Sequence, residues 1–344
     1  MKTLKGLALG IGSLPYQDAG EAVDLVLQYL TKAPFWPQLP RRDKREGMVA
    51  QFTENLPCLK FTPDGIKLDL SRRDEELENF YSRIIEQDTD YFGISPDYAL
   101  GLHKFLERLR KPGREQPEFI KCQVTGPFTF AATINDKGGS PLLHDKVLME
   151  AVIKGLAAKA LWQVKLFREF GKKIILFFDE PYLSAFGSAY TPLNKEDIIN
   201  GFKEFISGFK SANVLVGAHC CGNTDWSLFT DTPGLDIINF DAFDFQDKFV
   251  LYAGELKRFL EKGGFICWGV VPTEGYSPRI KAEDLVDKVK KGIDTLASKD
   301  VSRKLLLERL LVSPSCGMGS LDVERTERIL GLLKETSVLL QDLS

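Results

Sequence analysis

Short apolar runs rich in β-branched and aromatic residues alternate with amphipathic helical stretches, and this alternation constrains the fold more than any other feature of the chain. The runs are 7–13 (LALGIGS), 119–124 (FIKCQV), 173–180 (KIILFFDE), 213–220 (NVLVGAHC), 236–243 (DIINFDAF), 264–271 (GFICWGVV) and 309–314 (RLLVSP). Helical patterns fall between them, at about 18–32, 73–88, 96–111, 142–170, 195–210, 246–262, 281–297 and 321–341. Near-continuous apolar strands separated by helices predict parallel β/α units. Seven such strands predict an α/β protein built as a single closed (β/α)₈ TIM-type barrel, with one strand not placed; an open doubly wound sheet is the alternative. Polar residues recur at the C-terminal ends of nearly all the strands, the face that carries the active site in barrel enzymes. Asp18, Ser95, Asn194 and Ser320 are predicted helix N-caps, Ser95 above all, because Pro96 follows it at the position where a missing N–H is harmless. Residues 34–72, rich in proline and charge, are predicted to be an irregular insertion near the barrel mouth with a hairpin around Thr62-Pro63-Asp64-Gly65. The expected organisation is therefore one catalytic barrel over 1–344.

With 344 residues the chain can bury a large core, and its 44% hydrophobic and 27% charged residues are ordinary for a soluble protein. A net charge of −3 gives no polyanion-binding signature, so no nucleic-acid partner is expected. Arg41 to Arg45 (RRDKR) is the only dense basic cluster and reads as a solvated loop. No run of about 18 apolar residues exists, so no membrane-spanning helix is expected. The N-terminal MKTLKGLALGIGSLPY is short in apolar length and broken by glycines, and reads as the first core strand rather than a signal peptide. Six cysteines in a chain this long do not make a disulfide framework. A reducing cytoplasm, with thiolates kept for metal, fits better.

The chain has three histidines, and one of them stands at 219 in VLVGAHCCG, at the end of an apolar run. Along an extended backbone His219 and Cys221 point the same way, whereas Cys220 points the other way. Cys316 and Asp241, at the ends of two other strands, could complete a tetrahedron. A His/Cys/Cys set with an oxygen ligand suits Zn²⁺. Cys58, Cys122 and Cys267 read as small buried hydrophobes. Zinc held by two thiolates is a poor Lewis acid for water and suits activation of a coordinated thiol.

Seven short motifs then follow in order: GIGSLP (10–15), VTGPFTF (124–130), FFDEP (177–181), HCC (219–221), INFD (238–241), YSPRI (276–280) and SPSCG (313–317). In that order they resemble the catalytic C-terminal barrel of the cobalamin-independent methionine synthase family, a member of the uroporphyrinogen decarboxylase-like superfamily. The resemblance runs from about residue 7 to 320. It implies Zn²⁺ ligated by His219, Cys221, Asp241 and Cys316, with Asp241 standing where the family has Glu. It implies homocysteine as substrate, its amino group at Asp179 and its carboxylate at the Ile11-Gly12-Ser13 segment. A second family carboxylate falls in 34–50, where Arg42 takes the nominal position and Glu46 is the candidate replacement.

Two departures from the family bear on the methyl donor. The additional N-terminal half that helps bind folate polyglutamate has no counterpart in the sequence. The family acid, a His before Ser-Pro-Arg, is here Tyr276, so no catalytic acid is assigned. Transfer from a folate nitrogen needs a proton donor, whereas cobalt(I) leaves without one. AHCCGNT (218–224) is also close to the H-x-C-G-N pattern of methylcobamide:coenzyme M methyltransferases. These features imply a short "core" methionine synthase, a methyltransferase of methionine biosynthesis that takes its methyl group from methylcobalamin on a corrinoid protein. The alternatives are methylation of another thiol such as coenzyme M, a metal-free decarboxylase, and a non-catalytic corrinoid- or metal-binding module.

Overall fold

Seven parallel strands and a curl that brings the sheet edges toward one another define the architecture. The computed structural model describes residues 4–113, 115–188, 193–211 and 213–343. Its strands are β1 (Leu7–Ala8), β2 (Leu59–Thr62), β3 (Gly65–Leu68), β4 (Phe119–Thr125), β5 (Lys173–Asp179), β6 (Val214–Cys220), β7 (Ile237–Phe240), β8 (Phe265–Val271) and β9 (Leu310–Pro314). All but β2 and β3 form one sheet in the order β1-β9-β8-β7-β6-β5-β4, parallel throughout. β2 and β3 form the expected hairpin, with Thr62 opposite Gly65, whose φ of 119° only glycine adopts readily.

The first strand is shorter than its apolar run predicts, two residues instead of seven, and no eighth strand is assigned among the described residues. Residues 32–38 lie between β1 and β4. Phe119 N–H donates to Lys32 O and Lys121 N–H to Pro34 O, both at 2.9 Å. On the other side Gln38 N–H donates to Gly12 O at 3.0 Å and Leu14 N–H to Gln38 O at 2.9 Å. Two isolated parallel bridges, Phe35–Lys121 and Ser13–Gln38, mark the same contact. Pro34 and Pro37 have no N–H to give to a ladder, which explains why the segment bridges both edges without becoming a regular strand. The beginning of the expected insertion at 34–72 is therefore part of the sheet's closure. Helix Leu100–Leu109 packs against it so tightly that a Cβ on Gly101 would lie 2.0 Å from Pro37 O.

Residues alternate between two cores, as the period of two along a strand requires. Ile174, Leu176 and Phe178 face outward into the large core shared with the helices, together with Cys122, Val216, Ala218 and Cys220. Leu7, Leu9, Ile175, Phe177, Ile237, Phe265 and Leu311 form a separate apolar cluster in the sheet interior. A Cβ on Gly217 would sit 2.0 Å from the Phe177 ring, so glycine there lets the ring fill the axis. Toward the C-terminal ends the inward positions turn polar: Lys121, Gln123, Thr125, Asp179, His219, Asn239 and Ser313, all buried.

Helices differ from expectation mainly at their starts. Asp18 and Asn194 cap as predicted, accepting from the N–H of Glu21 and Asp197. Ser95 does not cap: a turn over 95–99 precedes the helix, which begins at Leu100. Asp322 rather than Ser320 caps the last helix, Val323–Gln341. No helix among the described residues is long and apolar enough to cross a membrane.

Candidate metal and substrate site

His219 and Cys221 project inward from the end of β6, and Cys316 follows the end of β9. One ligand atom from each, all within 4.8 Å of one another, makes the only such cluster of His, Cys, Asp or Glu among the described residues. Cys220 faces outward and is buried, as the alternation predicts. The imidazole of His219 is held by Asn239, a residue the sequence reading did not single out. Nδ1 and Asn239 Oδ1 are 2.6 Å apart. The Asn239 amide donates to Cys267 O at 2.9 Å and to Ser313 Oγ at 2.8 Å. With both amide hydrogens committed, Oδ1 is the acceptor, so Nδ1 carries the hydrogen. Nε2 is left as a bare lone pair, buried and without a partner. That arrangement prepares a histidine ligand. A donor set of one imidazole and two thiols, with an orphaned ring nitrogen among them, fits Zn²⁺.

The two thiols are electrostatically unequal. A hydrogen bond with Cys316 lowers the pKa of Cys221, while the same bond, with burial, raises that of Cys316. The pair therefore favours one thiolate and one thiol sharing a proton. For His219 burial opposes protonation, yet Cys316 and Asp179 raise its pKa above the ordinary value. This environment favours a cation at the cluster.

Asp241 is not part of the cluster. Its Oδ1 accepts from Phe243 N–H at 2.9 Å and Asp244 N–H at 3.0 Å, a cap on the turn after β7, and burial pushes its pKa up to about 6. Asp179 lies beside His219 in the β5–β6 register. Burial raises its pKa, with His219 and Lys121 opposing, and its Oδ1 has no partner.

A cavity of about 420 Å³ opens over these groups, lined by Asp179, His219, Cys221 and Cys316 together with Ile11, Ser13 and Glu46. Ser13 Oγ accepts from Gly319 N–H at 3.2 Å, which joins the first segment to the Cys316 loop. A Cβ on Gly317 would come within 2.4 Å of that hydroxyl. Gly12 packs against Gln38 and Gln123 behind the cavity wall. Glu46 is fully buried, with Oε1 on Arg42 and Oε2 accepting from Leu39 N–H at 3.2 Å; burial raises its pKa. Gln38, Pro40 and Met48 extend the wall from the same stretch. Tyr276 is partly buried against the outer core and does not line the cavity.

Glu180, next to Asp179, faces away from the cavity. It accepts from Phe128 N–H, Thr129 N–H and Thr129 Oγ1 at 3.0, 2.8 and 2.7 Å, holding the turn after β4, and burial pushes its pKa up to about 7. A groove of about 460 Å³ outside the helical layer is slightly larger than the cavity. Of its charged residues Arg83 pairs with Asp88 and Lys154 with Glu204, Lys165 donates to the Thr89 hydroxyl, and the groove holds no ligand cluster.

Comparison of the sequence with protein-family models and with curated proteins returns no match. Solved structures do match. A B12-independent methionine synthase from Shewanella sp. W3-18-1, in complex with selenomethionine, superposes with a TM-score of 0.54 at 17% identity, covering 94% of this chain and 87% of that one. A protein from Listeria monocytogenes assigned as a vitamin-B12-independent methionine synthase gives a TM-score of 0.54 at 16% identity, covering 94% and 84%. Over nearly its whole length, the chain shares the fold of methionine synthase-like proteins.

Proposed function

We propose that the protein is a zinc-dependent methyltransferase that forms methionine by methylating the thiol of homocysteine, on a single barrel whose eighth stave is 32–38. The observation that carries this reading is one cavity containing both a His219/Cys221/Cys316 cluster with a bare Nε2 and a buried carboxylate, Asp179, with an unpartnered oxygen. His219, Cys221 and Cys316 would hold Zn²⁺; Asp241, engaged with the turn, would need to release Phe243 and Asp244 to join them. Zinc held by these residues would supply the chemistry that keeps a substrate thiol deprotonated at neutral pH.

The chain's own residues do the rest. Asp179 receives the substrate ammonium, which supplies the partner that Oδ1 lacks. Ile11 and Ser13 face the substrate carboxylate, with Gly12 packed behind them and Glu46 also in the cavity wall. An ammonium site argues against a sulfonate thiol such as coenzyme M, which has no amine to pair. The Shewanella protein's selenomethionine complex supports an amino-acid ligand for the cavity. The sulfur takes the methyl group, the thiol proton is released and the carrier departs with the electron pair. Tyr276 stands outside the cavity wall, which supports a carrier that departs without a proton. We therefore assign the donor as methylcobalamin on a corrinoid protein.

The test is to incubate zinc-loaded protein and homocysteine with methylcobalamin, and separately with methyl-tetrahydrofolate. Methionine from methylcobalamin is expected. Activity with the folate alone refutes the donor assignment, and methionine from neither refutes the function.

A further inference from the structure

Lys121 has no part in the ligand cluster, yet it is fully buried on the inward face of β4, below Gln123 and Thr125. Its Nζ donates to the backbone carbonyl of Ile11 and, at 3.3 Å, to Gln123 Oε1. The rings of Phe177 and Phe35 flank the ammonium, with their centroids 5.1 and 5.7 Å away. Asp179 supplies the largest charge that opposes the penalty of burying Lys121. An ammonium this deep is costly unless it is paired or used, since an apolar side chain of the same length would fill the space without penalty.

Its placement suggests the use. Ile11 lines the cavity, and its carbonyl is the one Lys121 holds. In a planar trans peptide the N–H points opposite to the C=O, so fixing Ile11 O toward Lys121 turns the Gly12 N–H away from it. Lys121 therefore sets the orientation of the peptide that begins the Ile11–Ser13 wall. Gln123 continues the brace, donating to Trp36 O at 2.8 Å and tying in the segment that spans the sheet edges.

We infer that Lys121 is a positioning and specificity-determining residue, which orients the Ile11–Gly12 peptide and biases that end of the cavity toward a substrate carboxylate. Paired with Asp179 it makes the pocket dipolar, matched to a zwitterion rather than to an amine or an acid alone. This inference rests on the amino-acid reading of the cavity.

The test measures binding by calorimetry to zinc-loaded wild type, Lys121→Met and Lys121→Arg. The probes are L-methionine and its decarboxylated analogue, 3-(methylthio)propylamine. Lys121→Met is expected to weaken L-methionine by about 10-fold or more while leaving the amine within about twofold, since only the former has the charge that Lys121 favours. Lys121→Arg, which keeps the charge, is expected to recover most of the loss. Equal weakening of both probes shows a merely structural role and overturns the inference, as does unchanged methionine binding. If wild type binds neither probe, the amino-acid reading of the cavity fails, and the inference fails with it.

Discussion

Removing the amide of Asn239 isolates the brace behind the metal cluster. Asn239→Ala deletes three hydrogen bonds at a fully buried position: the one to His219 Nδ1 at 2.6 Å and those to Cys267 O and Ser313 Oγ at 2.9 and 2.8 Å. Ser313 Oγ keeps its own bond to Pro314 O, so its loss is small. The His219 Nδ1–H is left buried and unpaired, and the Cys267 carbonyl loses one donor. At about 1–3 kcal/mol for each of these two groups, the variant should lose about 2–6 kcal/mol of stability. Zinc affinity should fall by about 10- to 100-fold, because nothing then fixes the ring or keeps Nε2 as the bare nitrogen.

Zinc competition against a chromophoric chelator measures the second effect, and urea unfolding of the metal-free protein measures the first. Asn239→Asp separates them. It keeps an acceptor for Nδ1–H but sets a carboxylate against the Cys267 carbonyl, so stability should fall while zinc affinity holds. An Asn239→Ala variant that binds zinc within about twofold of wild type would refute the brace.

Replacing Cys221 or Cys316 with Ser should abolish zinc retention on desalting and methionine formation together; unchanged metal content in either variant removes that residue from the site. Lys121 should weaken the fold at neutral pH. Burial lowers its pKa from 10.5 to about 8, so the folded state holds fewer protons than the unfolded one between those values, and stability rises with pH across that window. The shift corresponds to about 3 kcal/mol, while Lys121→Met also strands the Ile11 and Gln123 acceptors at every pH, so the urea-derived stability of wild type relative to Lys121→Met should rise by up to about 3 kcal/mol from pH 7 to pH 10. A difference between the two proteins that stays constant or falls over that range would contradict the sign. Gly101→Ala should destabilise by about 2 kcal/mol or more, because the new Cβ meets backbone at Pro37 O, 2.0 Å away, rather than a side chain that can turn aside. Urea unfolding checks it, and a change below about 0.5 kcal/mol would show that the segment yields.

Much of the site was legible because strands impose a period of two. Ile175, Phe177 and Asp179 had to share a face, and so did His219 and Cys221, with Cys220 turned out. What was not legible depends on residues without a local signature. Asn239 reads as one polar residue in an apolar strand until the fold places it between His219, Cys267 and Ser313. Lys121 reads as one charge within an apolar strand, and only the sheet's closure buries it against Ile11 O. Residues 34–38, the start of the stretch read as irregular, look so because their prolines erase the alternation that marks a strand, although both neighbouring strands bond to the segment.

The sequence by itself determined the parallel β/α alternation, the polar ends of the strands and the inward pair His219 and Cys221, because periodicity and backbone geometry are local. Tertiary structure decided which distant residues meet. It carried Cys316 to within 4.8 Å of that pair across almost a hundred residues, and it turned the Asp241 carboxylate to the backbone of its own turn. Convergence of this kind depends on strand order and closure, which no local pattern encodes.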